Sequence, residues 1–559
     1  MDLATILLAA LLPADPGGAS DSYFPADPIR IEAEDAALSG LTIETSRAGY
    51  SGTGYVAGFD SADDSLTFVF TSETGVYDML FAIAQPSRFG SWTITIDGVL
   101  REGTFVGASG AFVERKAINL FLSAGEHELV LNAPGVEVDY LLLNPVVYDP
   151  PTVPTATLAD PQATPVTRAL LYFMHGQYGR QIIAGQQNLS DVNYIKSVTG
   201  REPAMGAFDL IEYSPSRREH GSNPGRSSEN WIDWASSDAI VKLMWHWNAP
   251  TDLINSQSQP WWRGFYTEAT TFDFAAALAD TSSPNYALLL RDIDAIAVQL
   301  KKFDDADIPV LWRPLHEAAG TWFWWGSKGP DAFIALWRLM FDRLVNHHGI
   351  HNLIWVYTHQ RTHDDWYPGD DFVDIVSCDV YADDQSATML SDWQDLQNLY
   401  GDRRLVTLSE SGTLPDPKVI TAYGIWWSWF ALWTGDFIRG VDQQYLTEVF
   451  NSDFVMTRDE LPNWRSTVSI ESVVAERKLD LSPYPNPARD EITFRYSLPE
   501  SAPATISVYD LLGRRRASID LGSSLTGEVR LDDNLQSGSY IAKLQMGSQS
   551  VARLFTIIR

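Results

Sequence analysis

Three patterns of apolar and polar positions follow one another along this chain. Between about residues 29 and 148, short runs alternate apolar and polar residues and are separated by turn residues; they include SLTFVF, YDMLFAI, SWTITIDG, HELVLNA and DYLLLNPV. Strict alternation over roughly four to eight residues is typical of strands with one buried face. This region is therefore predicted to form a β-sandwich.

The second pattern covers residues 166–474, where apolar strand-like runs alternate with amphipathic helical ones such as DAFIALWRLMFDRLVNH. Eight runs predict strands: RQIIAGQQ, AMGAFDLIEYS, AIVKLMWHW, IPVLWRPLHE, NLIWVYTHQ, VDIVSCDVY, RLVTLSES and YGIWWSWFALW. Eight strand–helix units in about 300 residues indicate a (β/α)8 TIM barrel. A doubly wound sheet is the structural alternative.

The remaining segments are shorter. Residues 149–165, DPPTVPTATLADPQATP, are predicted to be an extended linker, and residues 479–559 return to strand patterns and predict a small C-terminal β-sandwich. Residues 1–28 contain the apolar stretch Leu3–Leu12, which is too short to span a bilayer and lacks the basic residues of a signal peptide. We expect a signal remnant or a tail there. The predicted fold class is multidomain, with a central barrel flanked by two β-sandwiches.

Charge and cysteine content narrow the classes of partner. The chain has 40 Lys and Arg against 72 Asp and Glu, a net charge of −32. Such a charge repels nucleic acid and anionic membranes, and it leaves a neutral polymer unaffected. Cys378 is the single cysteine, so an intrachain disulfide is excluded. Aromatic residues make up 12 % of the chain, a content that is consistent with a packed core and equally with a surface that stacks on sugar rings.

Two glutamates stand where a barrel builds its active site. Glu317 ends the fourth strand candidate and is followed by an aromatic run, and Glu410 ends the seventh. Each alone fits a capping or turn role equally well, but the carboxyl ends of barrel strands face one cleft. Aromatic neighbours would desolvate Glu317 and raise its pKa, as a general acid requires. Two carboxyl groups about 5 Å apart perform retaining glycoside hydrolysis.

The run RPLHE at residues 313–317, followed by WFWWG at residues 322–326, resembles the acid/base motif of glycoside hydrolase family 26. A histidine directly before the acid/base glutamate, here His316, is distinctive of that family. The run ESG at residues 410–412 resembles its nucleophile strand. The resemblance covers residues 166–465 and implies a barrel, a retaining mechanism without a catalytic cofactor, and β-1,4-mannan hydrolysis, with Glu317 as acid/base and Glu410 as nucleophile.

The resemblance also implies substrate-binding residues at the ends of other strands. Tyr381 matches a tyrosine that touches the nucleophile, and Trp433 matches a platform under the sugar. The implied set is His246, His316, Trp322, Asp379, Tyr381 and Trp433, each with ordinary barrel packing as its structural alternative. Alanines follow the acid/base glutamate where some members carry asparagine. Mixed-linkage glucan and β-1,3-xylan stay open as substrates, and a non-catalytic carbohydrate-binding barrel is the alternative of another class.

The flanking regions carry resemblances of their own. RIEAEDAAL, GYSGTGYVAGF and VDYLLLNPV resemble carbohydrate-binding module family 35, which implies a structural calcium ion held by Glu32, Glu34 and Asp139; solvated acidic turns are the alternative. YPNPARDEITFRYSL, SVYDLLGRRR and SGSYIAKL resemble the type A sorting domain of type IX secretion, with an adhesion module as the alternative. We therefore expect a secreted or cell-surface monomer that meets the secretion machinery and a polysaccharide.

Overall fold

The computed structural model describes residues 27–466, apart from 237, 362 and 383–386, and residues 479–557, apart from 485–487, 489–491, 499–501, 511–513, 523–525, 532–534 and 548. The chain divides into two compact units, Met1–Arg465 and Ser466–Arg559. The apolar stretch predicted to be a signal remnant lies outside the described residues.

The N-terminal module is a sandwich of two antiparallel sheets. One sheet has the order β3-β4-β11-β6-β9 with β1 on β11, and the other has the order β2-β5-β10-β7-β8. Alternate residues of each strand, such as Leu66, Phe68 and Phe70, enter the core between the sheets, as the alternation predicts. The strands are β1 (Ile29–Glu32), β2 (Ala37–Ser39), β3 (Thr42–Glu44), β4 (Tyr55–Ala57), β5 (Ser65–Ser72), β6 (Gly75–Gln85), β7 (Phe89–Ile96), β8 (Val99–Val106), β9 (Ser109–Leu122), β10 (Gly125–Asn132) and β11 (Glu137–Val146).

The central domain is a closed parallel barrel, which confirms the predicted fold class. All eight strand-like runs of the sequence form strands, and the first pairs with both the second and the eighth, so the sheet has no open edge between them. That closure rules out the doubly wound alternative. The strands are β12 (Ile182–Gln187), β13 (Met205–Asp209), β14 (Ile240–Trp245), β15 (Val310–Pro314), β16 (Leu353–Thr358), β17 (Ile375–Val380), β18 (Leu405–Ser411) and β19 (Trp429–Leu432); the short β20 (Val455–Met456) lies beside β12.

Helices surround this barrel, and several begin at a side-chain cap. Thr164, Asn188 and Ser283 each accept a hydrogen bond from a backbone N–H in the first turn of the helix that follows. The helices are α1 (Pro165–Gln177), α2 (Leu189–Thr199), α3 (Pro215–Glu219), α4 (Ser227–Ala235), α5 (Phe274–Ala279), α6 (Pro284–Asp305), α7 (Pro330–Phe341), α8 (Leu390–Tyr400), α9 (Pro417–Ala422), α10 (Asp436–Arg439) and α11 (Gln443–Phe450). A π-helical turn, Asp342–His347, extends α7.

The segment that joins the module to the barrel has no helix or strand over residues 149–164, yet it is fastened to the barrel. The backbone N–H of Ala159 donates to Oδ1 of Asp374 at 2.6 Å, and Nδ1 of His351 lies 2.8 Å from Oδ2 of Asp160. Burial raises the pKa of Asp374 to about 7. Two barrel residues that are distant in sequence, His351 and Asp374, therefore hold this segment in place.

The C-terminal unit is a second small β-sandwich. Its sheets have the orders β21-β22-β25 and β24-β23-β26-β27, and Phe494 and Phe555 meet in its core. Residues 485–487 of the predicted sorting motif lie outside the described part. The strands are β21 (Asp480–Tyr484), β22 (Ile492–Ser497), β23 (Ala504–Asp510), β24 (Arg515–Gly522), β25 (Thr526–Leu531), β26 (Gly538–Met546) and β27 (Gln549–Ile557).

Candidate active site

Polar residues gather at the carboxyl ends of the barrel strands. Asp209 is the last residue of β13, His246 follows β14 directly, Asp379 is in β17, Glu410 is in β18, and Trp433 follows β19. Parallel strands of a closed barrel bring these ends to one mouth. The sequence therefore places chemically active side chains from five strands around a single cleft.

A bulge in β18 sets the direction of Glu410. Leu408 pairs with Cys378 of β17, but the next pair is Glu410 with Asp379, so Ser409 is an extra residue in this strand. The pairing of β18 with β19 shifts at the same place. A bulge re-aims the side chains beside it. Glu410 lies beside this bulge at the barrel mouth, and only 3 % of it is exposed.

Arg313 links the two carboxylates at the ends of β17 and β18. It is fully buried; its Nη1 donates to Asp379 Oδ2 at 2.8 Å and to Thr358 Oγ1 at 2.9 Å, and its Nη2 donates to Glu410. A buried guanidinium is stable only with such partners. The Arg313 guanidinium holds the Glu410 carboxylate in one orientation, a role that the sequence motif did not reveal.

Tyr381 contacts the same carboxylate from the opening of the cleft. Its hydroxyl donates to Glu410 Oε2 at 3.0 Å. Burial and the carboxylates of Asp379 and Glu317 raise the pKa of this hydroxyl, so it stays protonated as a donor. Gly412 makes the approach feasible, because a β-carbon there would lie 2.9 Å from the tyrosine ring. The contact predicted between this tyrosine and Glu410 is present in the structure.

Glu317 lies in an unusual backbone turn. After β15 the chain takes left-handed conformations at Leu315 (φ 50°), Glu317 (φ 52°) and Thr321 (φ 61°). Residues other than glycine rarely adopt this region, and strain of this kind concentrates at functional sites. The turn brings the Glu317 carboxylate to the cleft, where its Oε2 accepts a hydrogen bond from Trp322 Nε1 at 3.0 Å.

The environment of Glu317 favours its protonated form. Burial and the negative charge of Asp379 raise the pKa of Glu317 to about 7, against the lowering effects of Arg313 and the Trp322 hydrogen bond. A carboxyl group with this pKa is about half protonated at neutral pH and can both give and take a proton. That is the property of a general acid.

Three carboxylates come close together at the mouth. One oxygen each from Glu317, Asp379 and Glu410 lies within 4.8 Å of the other two. Retaining glycosidases separate their carboxyl groups by about 5–5.5 Å, whereas inverting enzymes leave about 6.5–9.5 Å for a water. The short separation suits direct attack by one carboxylate. Arg313 already contacts two of these carboxylates, and we assign no metal to the cluster.

Two histidines form a hydrogen-bonded pair beside the carboxylates. Nδ1 of His246 lies 2.6 Å from Asp209 Oδ2, and its Nε2 lies 3.1 Å from Nε2 of His316. Burial, and then the charge of Arg313, lower the pKa of His316, which is therefore neutral. If His246 donates to Asp209, then His316 donates to His246, and Nδ1 of His316 remains a buried acceptor that has no partner among the described residues. Asp209 was not predicted; its position at a strand end was the available signal.

The aromatic run after Glu317 divides into two groups. Trp322 is 43 % exposed in the cleft, whereas Trp324 and Trp325 are buried and donate their Nε1–H to the backbone carbonyls of Trp247 and His316. The buried indoles thus support the turn rather than face the cleft. Trp433, the predicted platform under the sugar, has its ring 6.2 Å from that of His246.

The N-terminal module brings its predicted calcium ligands to one loop. Ser51 Oγ donates to Glu32 Oε2 at 2.7 Å, and the backbone N–H of Ser51 donates to Asp139 Oδ1 at 2.9 Å. Glu34 packs against Gly52, where a β-carbon would collide with its Oε1. Glu34 Oε2 is buried without a partner among the described residues, and burial raises the pKa of Asp139. Carboxylate oxygens are the type of ligand that calcium prefers.

Comparison with protein families finds three matches along the chain. Residues 159–460 match the model of Glycosyl hydrolase family 26. Residues 29–146 match Carbohydrate binding module (family 35), and residues 482–558 match Secretion system C-terminal sorting domain. The first of these matches also includes residues 159–165, which the sequence pattern assigned to the linker.

Individual relatives cover the module and barrel together. A mannan endo-1,4-beta-mannosidase of Thermothelomyces thermophilus is 45 % identical over 442 residues, 78 % of this chain and 91 % of that protein. Mannan endo-1,4-beta-mannosidase A of Piromyces sp is 30 % identical, with coverage of 78 % and 72 %. The crystal structure of a Podospora anserina GH26-CBM35 beta-(1,4)-mannanase matches with a TM-score of 0.72 and 41 % identity, over 78 % of this chain and 99 % of that one.

Proposed function

The chain belongs to glycosyl hydrolase family 26, and we propose that it is a retaining endo-β-1,4-mannanase acting on mannan, galactomannan and glucomannan. The observation that carries the chemistry is the close approach of Glu317 and Glu410, with one oxygen of each within 4.8 Å, at the barrel mouth. The names of the two curated relatives support the choice of substrate.

The first step forms a covalent glycosyl-enzyme. Protonated Glu317 gives its proton to the glycosidic oxygen as the bond to the anomeric carbon breaks. An oxygen of ionised Glu410 attacks the same carbon from the opposite face. Arg313 and Tyr381 hold this carboxylate in position, and both contacts weaken as its charge passes into the new ester bond.

The second step reverses the roles. The Glu317 carboxylate, which gave up its proton, takes a proton from a water that attacks the anomeric carbon, and Glu410 leaves as a carboxylate. Two inversions give net retention. We assign the sugar hydroxyls to the histidine pair and Asp379, because Nδ1 of His316 has no donor among the described residues. We assign the sugar faces to Trp322 and Trp433.

Location follows from the C-terminal sorting domain. This domain directs export through a secretion system, so the protein is secreted or held at the cell surface. A polysaccharide is too large to enter the cell, and the enzyme must therefore meet it outside. None of the helices in the described ranges is long and apolar enough to cross a membrane. The monomeric state expected from the sequence stays a prediction.

Release of reducing sugar from three polymers tests the substrate. We expect hydrolysis of locust bean gum, with little or none from lichenan or β-1,3-xylan. Proton NMR of the first products should show the β-anomer before mutarotation. Release from lichenan alone would contradict the mannanase proposal, and release from none of the three would contradict the enzyme proposal.

We also propose that Glu32, Glu34 and Asp139 hold a structural calcium ion, because Glu32 and Asp139 both contact Ser51 and Glu34 Oε2 is buried with no partner among the described residues. Calorimetry of the whole chain should show that the module unfolds at a temperature about 10 °C higher with saturating calcium than with a chelator. Glu34→Ala should remove this response, whereas Glu44→Ala, an exposed carboxylate of the same module, should keep it. An unchanged transition with calcium would refute the site.

A further inference from the structure

A lysine is buried beneath the catalytic carboxylates. Lys242 in β14 is fully buried, and Met244, two residues further along the strand, has its sulfur 3.7 Å from Arg313 Nη2. Alternate residues of a strand point to the same side. Lys242 therefore enters the barrel one layer below Arg313.

The only hydrogen bond of Lys242 Nζ among the described residues is to the backbone. Nζ donates to the carbonyl oxygen of Ser409 at 2.6 Å. Burial, and then the charge of Arg313, lower the pKa of this amine. Burying an amine costs free energy of folding that an apolar side chain of similar size would not cost. Packing alone does not explain a lysine here.

The acceptor is the peptide that precedes Glu410. Ser409 is the extra residue of the β18 bulge, and its carbonyl shares a peptide plane with the N–H of Glu410. Rotation of this plane would swing the Glu410 side chain within the cleft. A donor from across the barrel, on β14, opposes that rotation.

We propose that Lys242 is a positioning residue, which fixes the orientation of the Glu410 carboxylate by holding the Ser409 carbonyl of the bulge. The inference rests on the proposed role of Glu410 as nucleophile. A displacement of about 1 Å at a reacting group can cost about a hundredfold in rate. Loss of the lysine donor should therefore affect the chemical step more than substrate binding.

Lys242→Met tests this, because methionine keeps much of the volume and removes the donor. On soluble mannan, about 30 °C below the melting temperature of each variant, we expect kcat to fall 10–100-fold with KM within about twofold. The rate of covalent labelling by a 2-deoxy-2-fluoro mannosyl inactivator should fall by the same factor. Lys242→Gln, which retains a shorter N–H donor, should recover part of the loss and serves as the test variant if the methionine protein does not fold.

Thr407→Val is the matched control. Its hydroxyl also makes a buried hydrogen bond from β18, to the carbonyl of Trp429 at 2.8 Å, so the variant loses a comparable contact in the same strand. Its kcat should stay within about twofold of the parent. If Lys242→Met keeps full kcat, or if both variants lose kcat equally, the positioning role is refuted. Activity surviving in Glu410→Ala would instead refute the proposed function.

Discussion

Glu410→Ala is expected to lower kcat on β-1,4-mannan by about four orders of magnitude or more, because it removes the carboxylate that forms the glycosyl-enzyme. Arg313 keeps Asp379 and Thr358 as partners after the change, so its buried charge is not left alone. The barrel should therefore remain folded, which circular dichroism and a cooperative thermal transition would establish. Mass spectrometry should find no labelled protein after a 2-deoxy-2-fluoro inactivator.

Glu229→Ala is the control for this substitution. Glu229 also accepts a hydrogen bond from a cation, Lys302, but it lies in α4 on the outside of the barrel. Its loss should leave kcat unchanged. Residual activity of Glu410→Ala above about one per cent, in a preparation free of parent enzyme, would count against the nucleophile assignment.

Glu317→Ala should produce a loss that depends on the leaving group. Hydrolysis of mannan needs a proton on the glycosidic oxygen, so we expect a loss of about a thousandfold or more. With a dinitrophenyl β-mannobioside, the dinitrophenolate leaves without needing that proton, so the first step should be nearly unaffected. The glycosyl-enzyme should then accumulate, and dinitrophenolate should be released in an initial burst. Azide, which needs no base, should restore turnover and give a β-glycosyl azide.

The pH profile follows from the same residue. The pKa of Glu317 is raised to about 7, so the acid form is present below pH 7 and is lost above it. In the parent enzyme, kcat/KM on mannan should fall about tenfold per pH unit above this value. In Glu317→Ala this basic limb should disappear for the dinitrophenyl substrate. Equal losses on both substrates, or an unchanged basic limb, would exclude Glu317 as the acid.

The eight barrel strands could be predicted because each is a short apolar run ending in polar residues. A parallel strand buried on both faces leaves that pattern whatever its neighbours are. The two glutamates and the histidines followed from their places at strand ends and from the family motif. For these features the local sequence carried the information.

The contacts within the site could not be predicted in the same way. The bulge at Ser409 exists only relative to the register of β17 and β19, which the run RLVTLSES does not encode by itself. The bond between His246 and Asp209 joins residues 37 apart, and the left-handed turn at Glu317 depends on packing around it. Likewise, the sequence WFWW at residues 322–325 does not indicate which of its three indoles is exposed to solvent.

The fastened segment over residues 149–164 determines how the carbohydrate-binding module can assist the barrel. A free tether of that length would have a root-mean-square span of about 20 Å and would let a captured polymer wander past the cleft. Here the hydrogen bond from Ala159 to Asp374 and the contact between Asp160 and His351 fix the end of the segment on the barrel domain. Anchoring at residues 159 and 160 shortens the free part of the segment, so we expect the module to range over a smaller volume around the barrel than a tether of sixteen residues would allow.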